Sequence, residues 1–504
     1  MPECAHVAIA STISSRRMGK ELDLVSVERS ICPDIYHPAI ARDGLLTRLR
    51  VPGGVLNESQ CQALAQLLAT IGLEYVQVTN RANLQLRSLD RDLDPSILTK
   101  LTECGLAASN TAVDGIRNVM LSPTAGIDAG ELIDVRPLAA AWLEYLDVHP
   151  ELGALSNKFS VGFDGGGSVS ILDRPNDITL LAVGANEFRL YLNMGDLGTR
   201  PVPVGVILSV AECLPMLAAI AQSYRQRIEV SGGDIRRKPR LRDIIGSCGL
   251  TEFSELVRRE IRGSRHFIFK NLTDRDADLV SGDLHLGVHP QRQTDRYYQG
   301  VVLPLGRWTV GQIRGLGSIA SRYGSGTIRL TPWQNVLLPD VSARDLPLVQ
   351  SMITDLGLVQ TATHPTSLLR ACAGATGCQF AATDTQADAI ALAEYLAAKF
   401  TLDRPLNIHV SGCEKSCAQH DRADITLWGQ SSSDRSPSYR IEIDGATAEF
   451  GRETSDLLAP ERVPIAIGNF ITAYHEQRRD RDESLRAFIN RQSSAQLQQL
   501  LHVA

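Results

Sequence analysis

Apolar positions along the chain switch from strand-like alternation to helical spacing and back, and they do so twice in the same order. In LRVPGGVLNESQCQALAQLLATIGLEYVQVTNRANLQL, starting at Leu49, a strand-like stretch precedes Leu64, Leu67, Leu68 and Ile71, which recur at helical spacing. The alternating run YVQVTN follows as a returning strand. VVLPLGRWTVGQIRGLGSIASRYGSGTIRLTPWQNVLL, starting at Val301, repeats the plan and returns through TIRLTP. Asn57 stands three positions before Gln60, and Thr309 three before Gln312, the signature of a capped helix start. Gly72 and Gly324 fall at the predicted helix ends, where glycine adopts the left-handed backbone most easily.

The two segments share identities without a gap. Pro52 and Pro304, Gly54 and Gly306, Gln60 and Gln312, Leu64 and Leu316, Gly72 and Gly324, Thr79 and Thr331, and Asn83 and Asn335 each lie 252 positions apart. Weaker likeness continues in KFSVGFDGGG and NIHVSGCEKS, and then in DITLLAVG and DITLWG. The simplest plan is a duplicated α+β protein with a pseudo-twofold between its halves and a ligand site at their interface. The most membrane-like window, Val202 to Ala221, is broken by Pro203, Glu212 and Pro215 and reads as a strand feeding an amphipathic helix.

Composition narrows the function classes. The 504 residues are enough for about three domains. Lys and Arg total 51 against 57 Asp and Glu, a net charge of −6, which argues against a generic nucleic-acid binder and makes any anion site local. The first twenty residues do not resemble a secretory signal, so a cytoplasmic protein is expected.

Ten cysteines are too few for a disulfide scaffold in a chain of this length, but four are clustered. They are Cys372 and Cys378 in RACAGATGCQFA, and Cys413 and Cys417 in HVSGCEKSCAQH. Two pairs on short glycine-rich turns can surround one centre, and small neighbours let backbone N–H groups approach cluster sulfides. A 4Fe–4S cluster, a structural zinc with a wider first spacer than usual, and unrelated thiols all remain open on spacing alone.

The pattern C-x5-C…S-G-C-x3-C on duplicated halves resembles the sulfite/nitrite reductase superfamily. The resemblance implies an internally duplicated reductase architecture with ferredoxin-like half-domains. It also implies a 4Fe–4S cluster on Cys372, Cys378, Cys413 and Cys417, the last bridging to sirohaem iron. The domains expected are an N-terminal arm (1–35), a first half-domain repeat (36–100) and a first α/β lobe with basic residues (101–284). A second repeat (285–350), a cluster-binding lobe (351–450) and a helical tail (451–504) follow. Family members grip a small oxyanion with two Arg and a K-x-K or K-x-N pair. Arg81, Arg117 and Lys158 match, whereas Ser160 stands at the fourth position.

CPDIYHPAIARDGLLTRLRVPGG, SPTAGIDAGELIDVRPL, KFSVGFDGGG and RRKPRLRDIIGSCGLTEF resemble the precorrin-3B synthase branch in particular. That resemblance implies oxygen-dependent hydroxylation of precorrin-3A at C20 with γ-lactone formation. Electrons would come from an NADH-linked reductase or ferredoxin, with a mononuclear non-haem iron as a possible second metal; the ferredoxin-dependent, sirohaem-containing reductase is the alternative. A cluster-bearing electron carrier or zinc scaffold is the non-enzymatic one. A carboxylate-fringed tetrapyrrole needs several cationic forks. The candidates are Arg50, Arg81, Arg87, Arg117, Lys158, Arg237 and Arg240, with Arg48 and the rest of the Arg236–Arg242 run behind them. Trp333, at the position of Arg81 in the second repeat, could stack on a macrocycle or serve the core. His37, His409 and His420 are possible ligands, whereas His285 and His289 do not suit a helical metal pair because Pro290 follows.

Overall fold

A computed structural model describes residues 32–195, 200–231, 238–261, 267–270, 283–419, 423–432, 435–443, 452–453 and 457–502. Among them the strands form four five-stranded sheets.

The two sequence repeats build two of these sheets, and each sheet is completed by a strand from the other repeat. Arg307–Thr309 of the second repeat pairs antiparallel with Tyr75–Val78 of the first. Val55–Asn57 of the first pairs with Thr327–Leu330 of the second. The two amphipathic helices, Glu58–Ile71 and Val310–Tyr323, pack on each other. They bury Leu64, Leu68, Ile313, Leu316 and Ile319 with Trp308 in one shared core.

The duplication is visible in the backbone itself. Positive φ angles occur in pairs 252 residues apart: Gly53 (68°) and Leu305 (53°), Gly54 (71°) and Gly306 (72°), Ala82 (52°) and Gln334 (64°), and Ser88 (58°) and Asp340 (64°). Both predicted capping boxes form, with Asn57 Oδ1 accepting from Gln60 N at 2.8 Å and Thr309 Oγ1 from Gln312 N at 3.3 Å. Asn83 accepts from Val51 N at 2.9 Å and Asn335 from Leu303 N at 3.3 Å, so the shared asparagines tie equivalent strands. The helix ends differ. Gly72 adopts the left-handed conformation, but Gly324 is extended (φ −124°, ψ −151°) and Gly326, two residues on, carries the positive φ. A Cβ on Gly324 would lie 2.6 Å from Pro339 O, so close backbone approach explains that glycine.

The other two sheets belong to two lobes of one topology. In the first, Val119–Leu121, Val161–Asp164 and Ile178–Gly184 run parallel, followed by antiparallel Glu187–Leu192 and Val202–Ser209. In the second, Leu369–Ala371, Ile408–Ser411 and Ile425–Ser431 run parallel, followed by antiparallel Pro437–Ile443 and Arg452–Glu453. Each lobe has its own core, and the helices Val463–Gln477, Leu485–Asn490 and Ser494–Leu500 bury Phe470, Tyr474 and Phe488 in the second. The membrane-like window splits into the strand Val202–Ser209 and the helix Val210–Ser231. No helix among the described residues is long and apolar enough to cross a membrane.

Trp308 is fully buried on an exchanged strand. Trp308→Ala should cost about 3–5 kcal/mol. Because the core is shared, both repeats should unfold in one transition during chemical denaturation, and separate transitions for the two halves would contradict the shared core.

Candidate active site

The second lobe brings the two cysteine pairs together through its parallel strands. Leu369–Ala371 and Ile408–Ser411 are hydrogen-bonded neighbours running the same way, so the loops that follow them leave from one edge of the sheet. Cys372 and Cys378 lie on the first loop and Cys413 and Cys417 on the second. Gly412 N donates to Cys372 Sγ at 3.2 Å, and the Thr385 hydroxyl lies 3.5 Å from the same sulfur. A Cβ on Gly412 would lie 2.5 Å from Ala381 Cβ, so the two loops touch where only glycine fits. Crowding by protein, then the charges of Cys372, Cys413 and Cys378, push the Cys417 thiol up to about 11, so the other three sulfurs lie within electrostatic reach of Cys417.

No three His, Cys, Asp or Glu side chains among the described residues converge on a point that one ion could occupy. Four thiols on two loops of small residues suit an inorganic cluster, and the Gly412 N–H on sulfur is the kind of contact that tunes one. Among the described residues no ligand set for the mononuclear iron implied by the family resemblance comes together. His37 is mostly exposed beside Asp34, His409 is buried edge-on to Trp428, and His420 lies outside the described residues.

The first lobe carries the corresponding loops without cysteine. Asp128 accepts from Gly130 N and Ser168 N, and Asp164 from Ser170 Oγ and Ile171 N, at 2.6–2.8 Å. Carboxylates and hydroxyls there lace the loops to each other.

The cationic candidates divide. Arg81, Lys158 and Arg240 lie close enough for their charges to act on one another. Burial holds the Arg81 guanidinium down at about 10, with the Asp177 charge opposing and that of Arg240 adding. Burial also lowers the Lys158 ammonium, with the Cys32 charge opposing and those of Arg240, Arg48 and Arg81 adding to the effect. Arg240 enters from the start of the helix Leu241–Cys248, and its Nη2 donates to Asp177 Oδ1 at 2.9 Å. Asp177 is 1% exposed, and its Oδ2 accepts from Ser160 N at 3.0 Å and Ser160 Oγ at 3.1 Å. The Ser160 hydroxyl therefore turns to Asp177, and Arg240, held by the same carboxylate, supplies a cation beside Arg81 and Lys158. Arg81 Nη2 donates to Pro175 O at 3.3 Å, while its buried Nη1 has no partner among the described residues.

The remaining candidates make contacts of their own. Arg117 pairs with buried Asp114 at 3.1 Å. Arg50 is 2% exposed and donates to Gly115 O and Asn157 O, both at 3.2 Å. Arg87 forks onto Asp43 and donates to Gly377 O at 2.6 Å, bracing the cysteine loop from the first repeat. Arg237 lies outside the described residues.

A cleft beside this cluster is lined from all four units. Asn80 comes from the first repeat, Trp333 and Gln334 from the second, Arg174 from the first lobe, and Arg370 and Gln419 from the second. Trp333 stacks on His285 (4.4 Å between centroids, 15° between planes), and the Arg174 guanidinium lies 5.3 Å over the indole. Its exposed edge thus lines the cleft while its face packs on a histidine. Arg174, Arg370 and Asp177 had not stood out in the sequence. Asp177 had left a trace: it begins DITLLAVG as Asp424 begins DITLWG, and Asp424 likewise accepts a backbone N–H, from Asn407 at 2.8 Å.

Comparison with known families fits this division of the chain. The nitrite/sulfite reductase ferredoxin-like half domain matches residues 37–104 and 289–356. The nitrite and sulphite reductase 4Fe-4S domain matches residues 112–264 and 367–502. The chain belongs to the nitrite and sulfite reductase family. It is 32% identical over 411 residues to a ferredoxin–nitrite reductase of Synechococcus elongatus, covering 78% of each chain. It is 30% identical over 404 residues to the chloroplastic ferredoxin–nitrite reductase of Zea mays, covering 76% of this chain and 69% of that one. Among solved structures, the NirA protein of Mycobacterium tuberculosis superposes with a TM-score of 0.73 at 21% identity, over 90% of this chain and 84% of that one. The duplicated α+β fold expected from the repeats is thus a family property.

The four thiols, the Gly412 N–H and the close-packed glycine loop fit a 4Fe–4S cluster. Cys413→Ala together with Cys417→Ala should remove iron, labile sulfide and the brown chromophore while far-ultraviolet circular dichroism keeps the native signal. Full cluster content in that double variant would contradict the ligand assignment.

Proposed function

We propose that the protein is a sirohaem- and 4Fe–4S-dependent reductase of a small oxyanion, nitrite first, taking electrons one at a time from ferredoxin. The observation that carries this reading is the placing of Arg240 beside Arg81 and Lys158 by Asp177, next to a cleft that ends at the cysteine loops. Likeness to ferredoxin–nitrite reductases over most of the chain supports it.

When bound, the cluster and sirohaem supply single electrons and a metal that holds the substrate. The protein's residues do the rest. The guanidinium of Arg81, with one buried nitrogen unpartnered, and that of Arg240 bind and orient oxyanion oxygens through charge-assisted hydrogen bonds. Lys158 Nζ, its proton loosened by burial and neighbouring cations, is the acid we assign to oxygen leaving as water. Arg174, paired with Asp173, and Arg370, which donates to Ser367 O and Leu369 O, would supply cations for the carboxylates of a tetrapyrrole, and the Trp333 edge would supply apolar surface. The Asp177 carboxyl group lies between Ser160 and Arg240 and fixes both.

A second reading, oxygen-dependent hydroxylation of precorrin-3A, is favoured by one observation. Ser160 spends its hydroxyl on Asp177 and leaves the cleft without the side chain that a K-x-K or K-x-N pair would project there.

Anaerobically purified protein tests the first reading and separates it from the second. Sirohaem bands in the visible spectrum and conversion of nitrite to ammonium with reduced ferredoxin are expected. Arg240→Ala should lower kcat/KM for nitrite by roughly 100-fold, the worth of about one buried charge-assisted contact. Failure to turn over nitrite or sulfite with both groups loaded would sink the reductase reading. Gain of one oxygen atom by precorrin-3A in the presence of O2 would establish the second.

A further inference from the structure

Cys32 lies far along the chain from the clustered cysteines, and the fold places it in the cationic cluster. Its sulfur accepts from Arg48 Nη1 at 3.1 Å and Arg50 Nη2 at 3.6 Å. The segment carrying it is anchored on several sides. Asn157 Nδ2 donates to Cys32 O at 3.2 Å and to Asp34 Oδ2 at 3.0 Å, Arg50 Nη2 reaches Pro33 O at 3.5 Å, and the Thr47 hydroxyl donates to Asp34 O at 2.5 Å. Cys32 is 8% exposed, so its position is set by packing rather than by solvent.

The groups facing it are mostly positive. Arg48 and Arg50 come from the strand Gly44–Leu49 and its exit, Arg81 from the turn before Leu84–Leu89, and Lys158 from the approach to Val161–Asp164. Arg240, at the start of Leu241–Cys248, faces Arg81 and Lys158. Among the described residues, the negative groups nearby are Asp177, committed to Ser160 and Arg240, and Asp34, committed to Asn157 and His37. A buried, unpartnered Arg81 Nη1 marks where an anion would complete the set.

We propose that Cys32 is a resident thiolate, a positioning residue that acts as the counter-charge of the anion cleft and so sets the pH dependence of anion binding. Burial alone would raise the thiol, but the charges of Arg48 and Arg50, the Arg50 hydrogen bond and the charge of Arg81 outweigh it and bring it down to about 6. The sign follows. Above pH 6 the sulfur is negative and competes with an incoming anion for the same cations. As pH falls through 6 it takes a proton, the cleft gains one unit of positive charge, and anion binding tightens. By linkage, a bound anion raises the proton affinity of Cys32 by the same factor.

The affinity arm of the test rests on the oxyanion reading; the ionisation arm does not. Holoprotein is titrated across pH 6 as wild type, Cys32→Ser and Cys32→Asp, reading ultraviolet thiolate absorbance and calorimetric affinity for nitrite, which keeps its single charge over this range. In the wild type a thiolate absorbance missing from Cys32→Ser should titrate near pH 6, and nitrite affinity should rise roughly tenfold below it. Cys32→Ser should bind tightly and Cys32→Asp weakly, both nearly independent of pH. Coincident absorbance of wild type and Cys32→Ser at neutral pH, or identical pH dependence of their nitrite affinity, would overturn the proposal. Absence of nitrite binding in all three proteins with the thiolate signal intact would count against the reductase reading and for the resident thiolate.

Discussion

The exchange of one short strand between the two repeats is the constraint on which the remaining architecture depends. Val55–Asn57 completes the sheet of the second repeat and Arg307–Thr309 that of the first, so neither sheet is whole without the other half. The helix pair over these strands approaches closely: a Cβ on Gly317 would lie 3.2 Å from Cys61 Cβ. Together these contacts fix the pseudo-twofold. The turns bearing Asn80 and Arg81 in one half and Trp333 and Gln334 in the other are thereby brought to a common cleft. Ala82 and Gln334 hold equivalent left-handed conformations there, unfavourable for residues with a Cβ and maintained in both copies by the same Thr and Asn hydrogen bonds.

The two lobes show how one topology accommodates two kinds of chemistry. In both, adjacent parallel strands send their following loops to one edge of the sheet, where ligands of α/β sheets commonly sit. In the second lobe that edge carries four thiols. In the first, Asp128, Asp164, Ser168 and Ser170 satisfy one another and the loop backbone. The cationic side of the cleft is assembled with comparable care over buried charge. Asp177 is fully enclosed, and an unpaired carboxylate there would be strongly destabilising. Ser160 and Arg240 together satisfy it, and Arg240 is thereby held beside Arg81 and Lys158.

Much of this plan was legible in the residues. Repeat identities, capping boxes and alternating strands depend on local spacing, and local spacing survives folding. Both capping boxes formed where Asn57 and Thr309 predicted them, whereas Gly324 proved to serve close packing rather than a left-handed helix end. Arg87 was less legible. Its basic character suggested an anion ligand, but Asp43 meets it once the strands of the first repeat pair, and Gly377 O only when that repeat meets the second lobe.

The sequence alone therefore determined the duplication, the element types and the four clustered cysteines, because each is a matter of spacing along one stretch of chain. Only tertiary structure decided which charges meet. Arg240 lies 63 positions from Asp177, and Cys32 lies 16 and 18 positions from Arg48 and Arg50. Coulomb interaction and burial act through space, and those distances exist only after the strands pair and the lobes close around the cleft.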